Sequence, residues 1–168
     1  LTDLGLVAMK RHDWVTARAR LERSVAINDA AALQSAHAAA AHLNLGFTLA
    51  EFGDFGQAQT HLSRAKAIYR ALAPDGLGVA RCENALASLA WRRGDVEQAQ
   101  LLYQRALARK RTLAPRSLSI SITLLHLGDI SREQGNLEMV QPYLREALQI
   151  ARERRACRLR PSTSASGP

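Results

Sequence analysis

Aromatic residues are scarce in this 168-residue chain, at 5% of the total, and cysteine occurs twice. So few aromatics fit Ala/Leu helical layers and argue against a rigid aromatic site. Cys82 falls in the third of the helical units described below and Cys157 beyond the last. They do not read as a staple, and free thiols in a reducing cytoplasm are expected. No apolar run reaches the ~18 residues a membrane-crossing helix needs, so no membrane span is expected. Sustained strand-like alternation is missing, and Val and Ile are sparse beside Ala and Leu. No signal peptide is expected at this N-terminus. Leu1 stands in place of an initiator Met and already lies within a helical pattern, so a longer parent chain is expected. Lysine is scarce too: 20 of the 23 basic residues are Arg, a bias that a GC-rich genome alone can produce.

What the chain has in quantity is repetition. YRALAPDGLGV at 69–79 returns as KRTLAPRSLSI at 110–120, a shift of 41 residues. The same shift relates Gly53-Asp54, Gly94-Asp95 and Gly135-Asn136, with His12-Asp13 one step back. Leu4-Gly5, Leu45-Gly46, Leu86-Ala87 and Leu127-Gly128 form a second set. Ala17, Ala58, Ala99 and Val140 form a third, and Leu21, Leu62, Tyr103 and Leu144 a fourth. Four units therefore fill residues 1–151, at about 1–30, 31–72, 73–113 and 114–151. By length they make one domain. A basic and then Ser/Pro-rich tail, 152–168, is expected to be disordered.

Within a unit the apolar spacing is helical, as in Leu45, Leu49 and Phe52, then Phe55, Ala58, Leu62, Ala65 and Ile68. Between the two helices, Gly53, Gly94 and Gly135 suit a left-handed helix stop. Asp54, Asp95 and Asn136 then offer an oxygen to the next helix's free amides, and Gln57 and Gln98 are placed to complete capping boxes. His12, in the glycine slot, is expected to be strained. Gly5, Gly46 and Gly128 sit inside helices at a cost of roughly 1 kcal/mol each. Recurrence at a cost implies close packing, expected against Ala17, Ala58 and Val140.

These residues resemble the tetratricopeptide repeat, whose pattern runs aromatic-x-x-Leu-Gly-x-x-Tyr and then Ala-x-x-x-Phe. The matches are Leu4-Gly5 with Ala17 and Leu21, Leu45-Gly46 with Ala58 and Leu62, Leu86-Ala87 with Ala99 and Tyr103, and Leu127-Gly128 with Val140 and Leu144. Leu1, His42, Glu83 and Leu124 depart from the aromatic slot, and Ala8, Leu49, Ala90 and Ser131 from the tyrosine slot. The period alone also fits HEAT and armadillo repeats; the Leu-Gly register and the Gly-Asp hinge favour the tetratricopeptide. Units of about 42 residues, longer than the usual 34, resemble the kinesin-light-chain type, and the Leu-Ala-Pro connector resembles arrays in bacterial signalling proteins, including those with CHAT domains. The resemblance implies an all-α fold, a right-handed α-solenoid of four antiparallel helix pairs. The extra residues add about two helical turns, roughly 10 Å. Pro74 and Pro115 prevent a continuous rod, with Leu72, Leu77, Leu113 and Leu118 expected to pin the connector to the core.

Chemistry finds little purchase. Five histidines are present, but His37 and His42 are off one helical face, and His61 and His126 lack partners at ligand spacing, so no metal is expected. Gly76-Leu77-Gly78 is not a phosphate loop, because no strand precedes it and no Lys-Ser/Thr follows. No nucleophile context is present. The chain is expected to be no enzyme and to need no cofactor. Net charge is +8, but without residues 152–168 the balance is 18 basic against 14 acidic. The tail's ARERRACRLR could attract nucleic acid or acidic lipid; a solvated helix end is the plainer account.

In the family resembled, a concave groove is lined by the first helix of each unit. Residue by residue this implies a lining of Asn44, Phe47 and Glu51; then Arg81, Asn84, Ser88, Trp91 and Arg92; then His126, Asp129, Arg132 and Glu133. Amides at Asn44 and Asn84 would grip a peptide backbone, Trp91 would anchor apolar groups, and Arg81 with Arg92 would attract an acidic or C-terminal group. The leading function is a cytoplasmic protein–protein interaction module, a scaffold or adaptor within a larger regulatory or signalling protein. The alternatives are self-association through uncapped ends (Leu1, Leu4 and Ala8; Tyr143, Leu148 and Ile150) and an RNA-binding helical repeat. The mildly basic body and the lack of a recurring base-reading pair count against the latter.

Overall fold

The computed structural model describes residues 1–159. Its elements are α1 (Thr2–Lys10), α2 (Trp14–Ala30), α3 (Ala36–Glu51), α4 (Phe55–Leu72), α5 (Leu77–Arg92), α6 (Val96–Leu113), α7 (Leu118–Glu133) and α8 (Leu137–Leu159). No strand occurs among the described residues. Helices α3, α5 and α7 begin 41 residues apart, and so do α2, α4, α6 and α8. The sequence period is therefore the period of the helix pairs, and the all-α class is as expected.

Two compact units are present, residues 1–109 and the chain from 110 onward, with the division inside α6. The single domain expected from length is thus subdivided. In a repeat array each pair touches only its neighbours, so no central core binds the ends together. In the first unit α1 packs on α2, α2 on α3, α3 on α4 and α4 on α5, and α3 also touches both α1 and α5. In the second, α7 packs on α8.

The hinges follow local chemistry. Gly53, Gly94 and Gly135 have φ of 78°, 82° and 75°, and a Cβ there would meet nothing within 4 Å. Their requirement is conformational. His12 takes the same region at φ 57°, and Ala32, closing α2, at φ 49°. The oxygens of Asp13, Asp54 and Asp95 each accept the amide of the residue three further on at 3.1 Å. Gln57 departs from the expected capping box: its side-chain amide donates to the Asp54 carboxylate at 2.7 Å.

The helical glycines do pack closely, but against different atoms from those expected. A Cβ at Gly5 would lie 2.7 Å from Leu21 Cγ, and one at Gly46 would lie 2.7 Å from Leu62 Cγ and 3.1 Å from the Ala58 carbonyl oxygen. The side chain one turn beyond the expected alanine fills the notch, because a leucine on the second helix leans back over the preceding turn. Gly128 is different: its nearest neighbours would be Leu144 Cδ2 and Tyr143 Cβ, both at 3.8 Å.

The connectors are held by polar groups. Leu72, Leu77, Leu113 and Leu118 are all exposed, contrary to the pinning role expected of them. Arg109 Nη1 instead donates to the Pro74 carbonyl at 3.3 Å and to Asp75 Oδ1 at 2.6 Å. One repeat slot has two solutions: the Tyr69 ring occupies the space a Cβ on Gly78 would need, whereas buried Lys110 donates to the Ser119 carbonyl at 3.1 Å and Thr123 Oγ1 at 2.7 Å. Helix α8 runs to Leu159, into the tail expected to be disordered. Between 152 and 159 there is no Gly or Pro and Arg, a good helix former, dominates. Residues 160–168 lie outside the described residues.

The glycine contacts predict opposite outcomes for one substitution. Gly46→Ala is expected to cost about 1–3 kcal/mol through overpacking, while Gly128→Ala is expected to be neutral or to gain up to about 1 kcal/mol. Urea unfolding of both variants measures the difference.

Candidate functional site

Spacing of three and four places Arg81, Asn84, Ser88 and Trp91 along one side of α5. Arg81 is exposed, and Asn84 and Trp91 are half-buried. Ser88 lies against the buried Tyr103 phenol, which desolvation pushes up to about 12 while Ser88 and then Arg92 act to lower it. On the neighbouring α3, Phe47 is 37% exposed, with its ring 6.3 Å from that of Trp14. Asn44 is only 5% exposed, and its Nδ2 has no acceptor. It therefore faces the interior and does not grip a partner from the surface. Arg92 is also committed: Nη1 donates to the Ala50 carbonyl at 2.9 Å and Nη2 to Glu51 Oε1 at 2.6 Å. It ties α5 to the C-terminal end of α3, where unsatisfied carbonyls favour a cation.

In the second unit, His126 is half-buried on α7. Desolvation holds its pKa below the usual histidine value; Lys110 adds to this and Asp129 opposes it. Asp129 and exposed Arg132 pair at 3.0 Å along the same helix.

Two polar clusters arise where the repeat departs from its aromatic slot. At one, buried His42 places Nε2 3.2 Å from Asp29 Oδ1 and Nδ1 2.9 Å from His61 Nδ1. Burial lowers the pKa of His61, His42 adds to the lowering, and Asp29 and Glu22 oppose it. At the other, Glu83 is 3% exposed and lies 3.3 Å from both Lys66 Nζ and Arg109 Nε. Its Oε2 accepts no hydrogen bond. Glu83 lines a cleft of about 500 Å³ between α4 and α6, and a second lobe of about 470 Å³ shares Lys66 and Arg105 with it. Helical spacing did not find these clusters because their partners come from other helices. The available signal was a carboxylate and an imidazole at positions whose counterpart, Leu124, is fully buried. No group of three or more His, Cys, Asp or Glu suited to a metal occurs among the described residues. Nor is any helix among them long and apolar enough to cross a membrane.

Comparison with known proteins decides the family. The tetratricopeptide repeat pattern matches residues 37–112 and again 123–154. The chain belongs to the tetratricopeptide repeat family. Among solved structures, BtubC (BKLC) from P. vanneervenii is similar over 98% of this chain and 67% of its own, with a TM-score of 0.79 and 22% identity. The apo form of RapI is similar over 89% of this chain and 66% of its own, with a TM-score of 0.60 and 14% identity. At those identities the likeness is one of fold, and the chain spans about two thirds of the length of each. No curated protein matches the sequence.

For this tetratricopeptide chain the geometry gives two predictions. Arg92→Met removes the tie to Ala50 and Glu51 and is expected to lower stability by about 1 kcal/mol, the side chain being partly solvated, as read by urea unfolding. His61 and His126, with pKa values depressed by burial, bind protons more readily when unfolded. Their contribution is present above the unfolded histidine value of about 6.5 and is lost as pH falls below it. The melting temperature is therefore expected to fall between about pH 7.5 and 5.5, and the double variant His61→Gln/His126→Gln to flatten that fall.

Proposed function

We propose that the chain is a protein–protein interaction module that receives a partner segment on its first-helix face. In residues 1–109 the receiving face is that of α3 and α5, with Phe47, Arg81, Asn84 and Trp91 as its contact residues. In the second unit Asp129 and Arg132 of α7 hold the repeat positions of Phe47 and Trp91, and His126 that of Asn44. The observation that carries the reading is that an apolar ring and a cation stay accessible on adjoining helices: Phe47 is 37% exposed and Arg81 is exposed. An exposed aromatic ring with a cation on the next first helix supplies residue types that dominate interaction hot spots. Asn44, Ser88 and Arg92 act as supports for that face.

A role within a larger regulatory or signalling chain fits a module that offers contacts and lacks a reaction centre among its described residues. A reducing, cytoplasmic setting fits Cys82, a buried free thiol that desolvation pushes up to about 12 and so keeps protonated. Self-association is a second reading, favoured by exposed Leu137, Leu144 and Leu148 on α8. Light scattering over a concentration series reads it as a rise in mass.

The test of the first reading is a photo-crosslinking residue at position 47 in the native host, with the captured protein then purified. Arg81→Glu combined with Trp91→Ala is expected to weaken binding of that purified protein at least tenfold while leaving helicity unchanged. Equal binding by the double variant overturns the reading.

A further inference from the structure

Helix α5 has a second side, and it is the better furnished one. Opposite Arg81 and Trp91, its residues Val79 and Glu83 line the first lobe of the α4–α6 cleft, and Leu86 and Ala90 line the second. Together the lobes carry five basic residues, Lys66, Arg70, Arg93, Arg105 and Arg109, against the acidic Asp75, Glu83 and Asp95. The acids are already engaged. Glu83 lies between Lys66 and Arg109, Asp75 pairs with Arg109 at 2.6 Å, and Asp95 accepts the Gln98 amide at the start of α6. Arg70, Arg93 and Arg105 are exposed and make no ion pair among the described residues.

We propose that this cleft between α4 and α6 binds an extended acidic peptide segment, whose carboxylates pair with Arg70 and Arg105. Three observations select that occupant. The uncompensated charge is positive and belongs to arginine, which pairs a carboxylate through two parallel donors. Those cations stand on both walls, Arg70 on α4 and Arg105 on α6, which suits an extended chain whose successive side chains point to opposite sides. Finally, no aromatic lines either lobe to stack a base. The site is separate from the α3–α5 face and does not depend on it.

The experiment uses the whole chain and a fluorescein-labelled octapeptide of alternating Glu and Ala, read by fluorescence anisotropy at low salt. Saturable binding that weakens as salt rises is expected, with Arg70→Glu/Arg105→Glu losing at least about tenfold in affinity. Arg23→Glu, at an exposed arginine of α2 that lines neither lobe, is expected to change nothing. Circular dichroism checks the fold of each variant, and Arg70→Gln/Arg105→Gln replaces the charge reversal if that pair does not fold. Absence of saturable binding overturns the proposal, as does equal affinity in the cleft variants. Loss on Arg81→Glu alone would move the acidic ligand to the first-helix face, refuting the cleft while leaving the interaction-module reading standing. Tighter binding of a single-stranded oligouridine of equal length, lost in the same cleft variants, would also overturn it.

Discussion

A leucine seated where a Cβ is missing governs the geometry of the first unit. Leu21 and Leu62 occupy the space that side chains on Gly5 and Gly46 would need, and both leucines are buried. This brings the first helix of a pair close to the second and fixes which residues of each helix face inward. The buried run of α3 follows, from Ala41 through Gly46, as does the commitment of Asn44 to the interior. Dispersion contacts are individually weak, so such closeness, repeated, is what makes a stack of alanine and leucine helices cohesive with few aromatics. Where the requirement relaxes, at Gly128, the facing Leu144 is exposed.

The fold was legible because it is written in period and punctuation. Glycine at positive φ, an aspartate cap and an apolar stripe are local features, and each returned where the 41-residue shift placed it. The functional faces were less legible because a surface is defined by what other helices leave uncovered. Arg92 reads as a free cation until the α3 carbonyls to which it is tied are known. Leu72 and Leu113 read as core residues by hydrophobicity, yet the connectors are fastened by Arg109 and Lys110. The Glu83 cleft was the least visible, since its walls belong to three helices and only one member, at the aromatic slot, breaks the pattern.

Helix α5 thus presents two chemistries on two sides. Arg81 and Trp91 lie on one, and Val79, Glu83 and Leu86 on the other. A helix can do this because its residues project around a full circle every 3.6 positions, and because its packing against α3 and α4 leaves other arcs of that circle available.

The polar exceptions at the aromatic slot also restrict how the repeats can be rearranged. Glu83 draws its balancing charges from Lys66 in the pair before it and Arg109 in its own, and His42 reaches back to Asp29 and forward to His61. A repeat cut out and reinserted elsewhere in the stack would carry its carboxylate or imidazole away from at least one of these partners. The units look interchangeable by outline, but the two that carry His42 and Glu83 are keyed to their predecessors, so duplication or shuffling of either pair would leave a stranded polar group at the new junction.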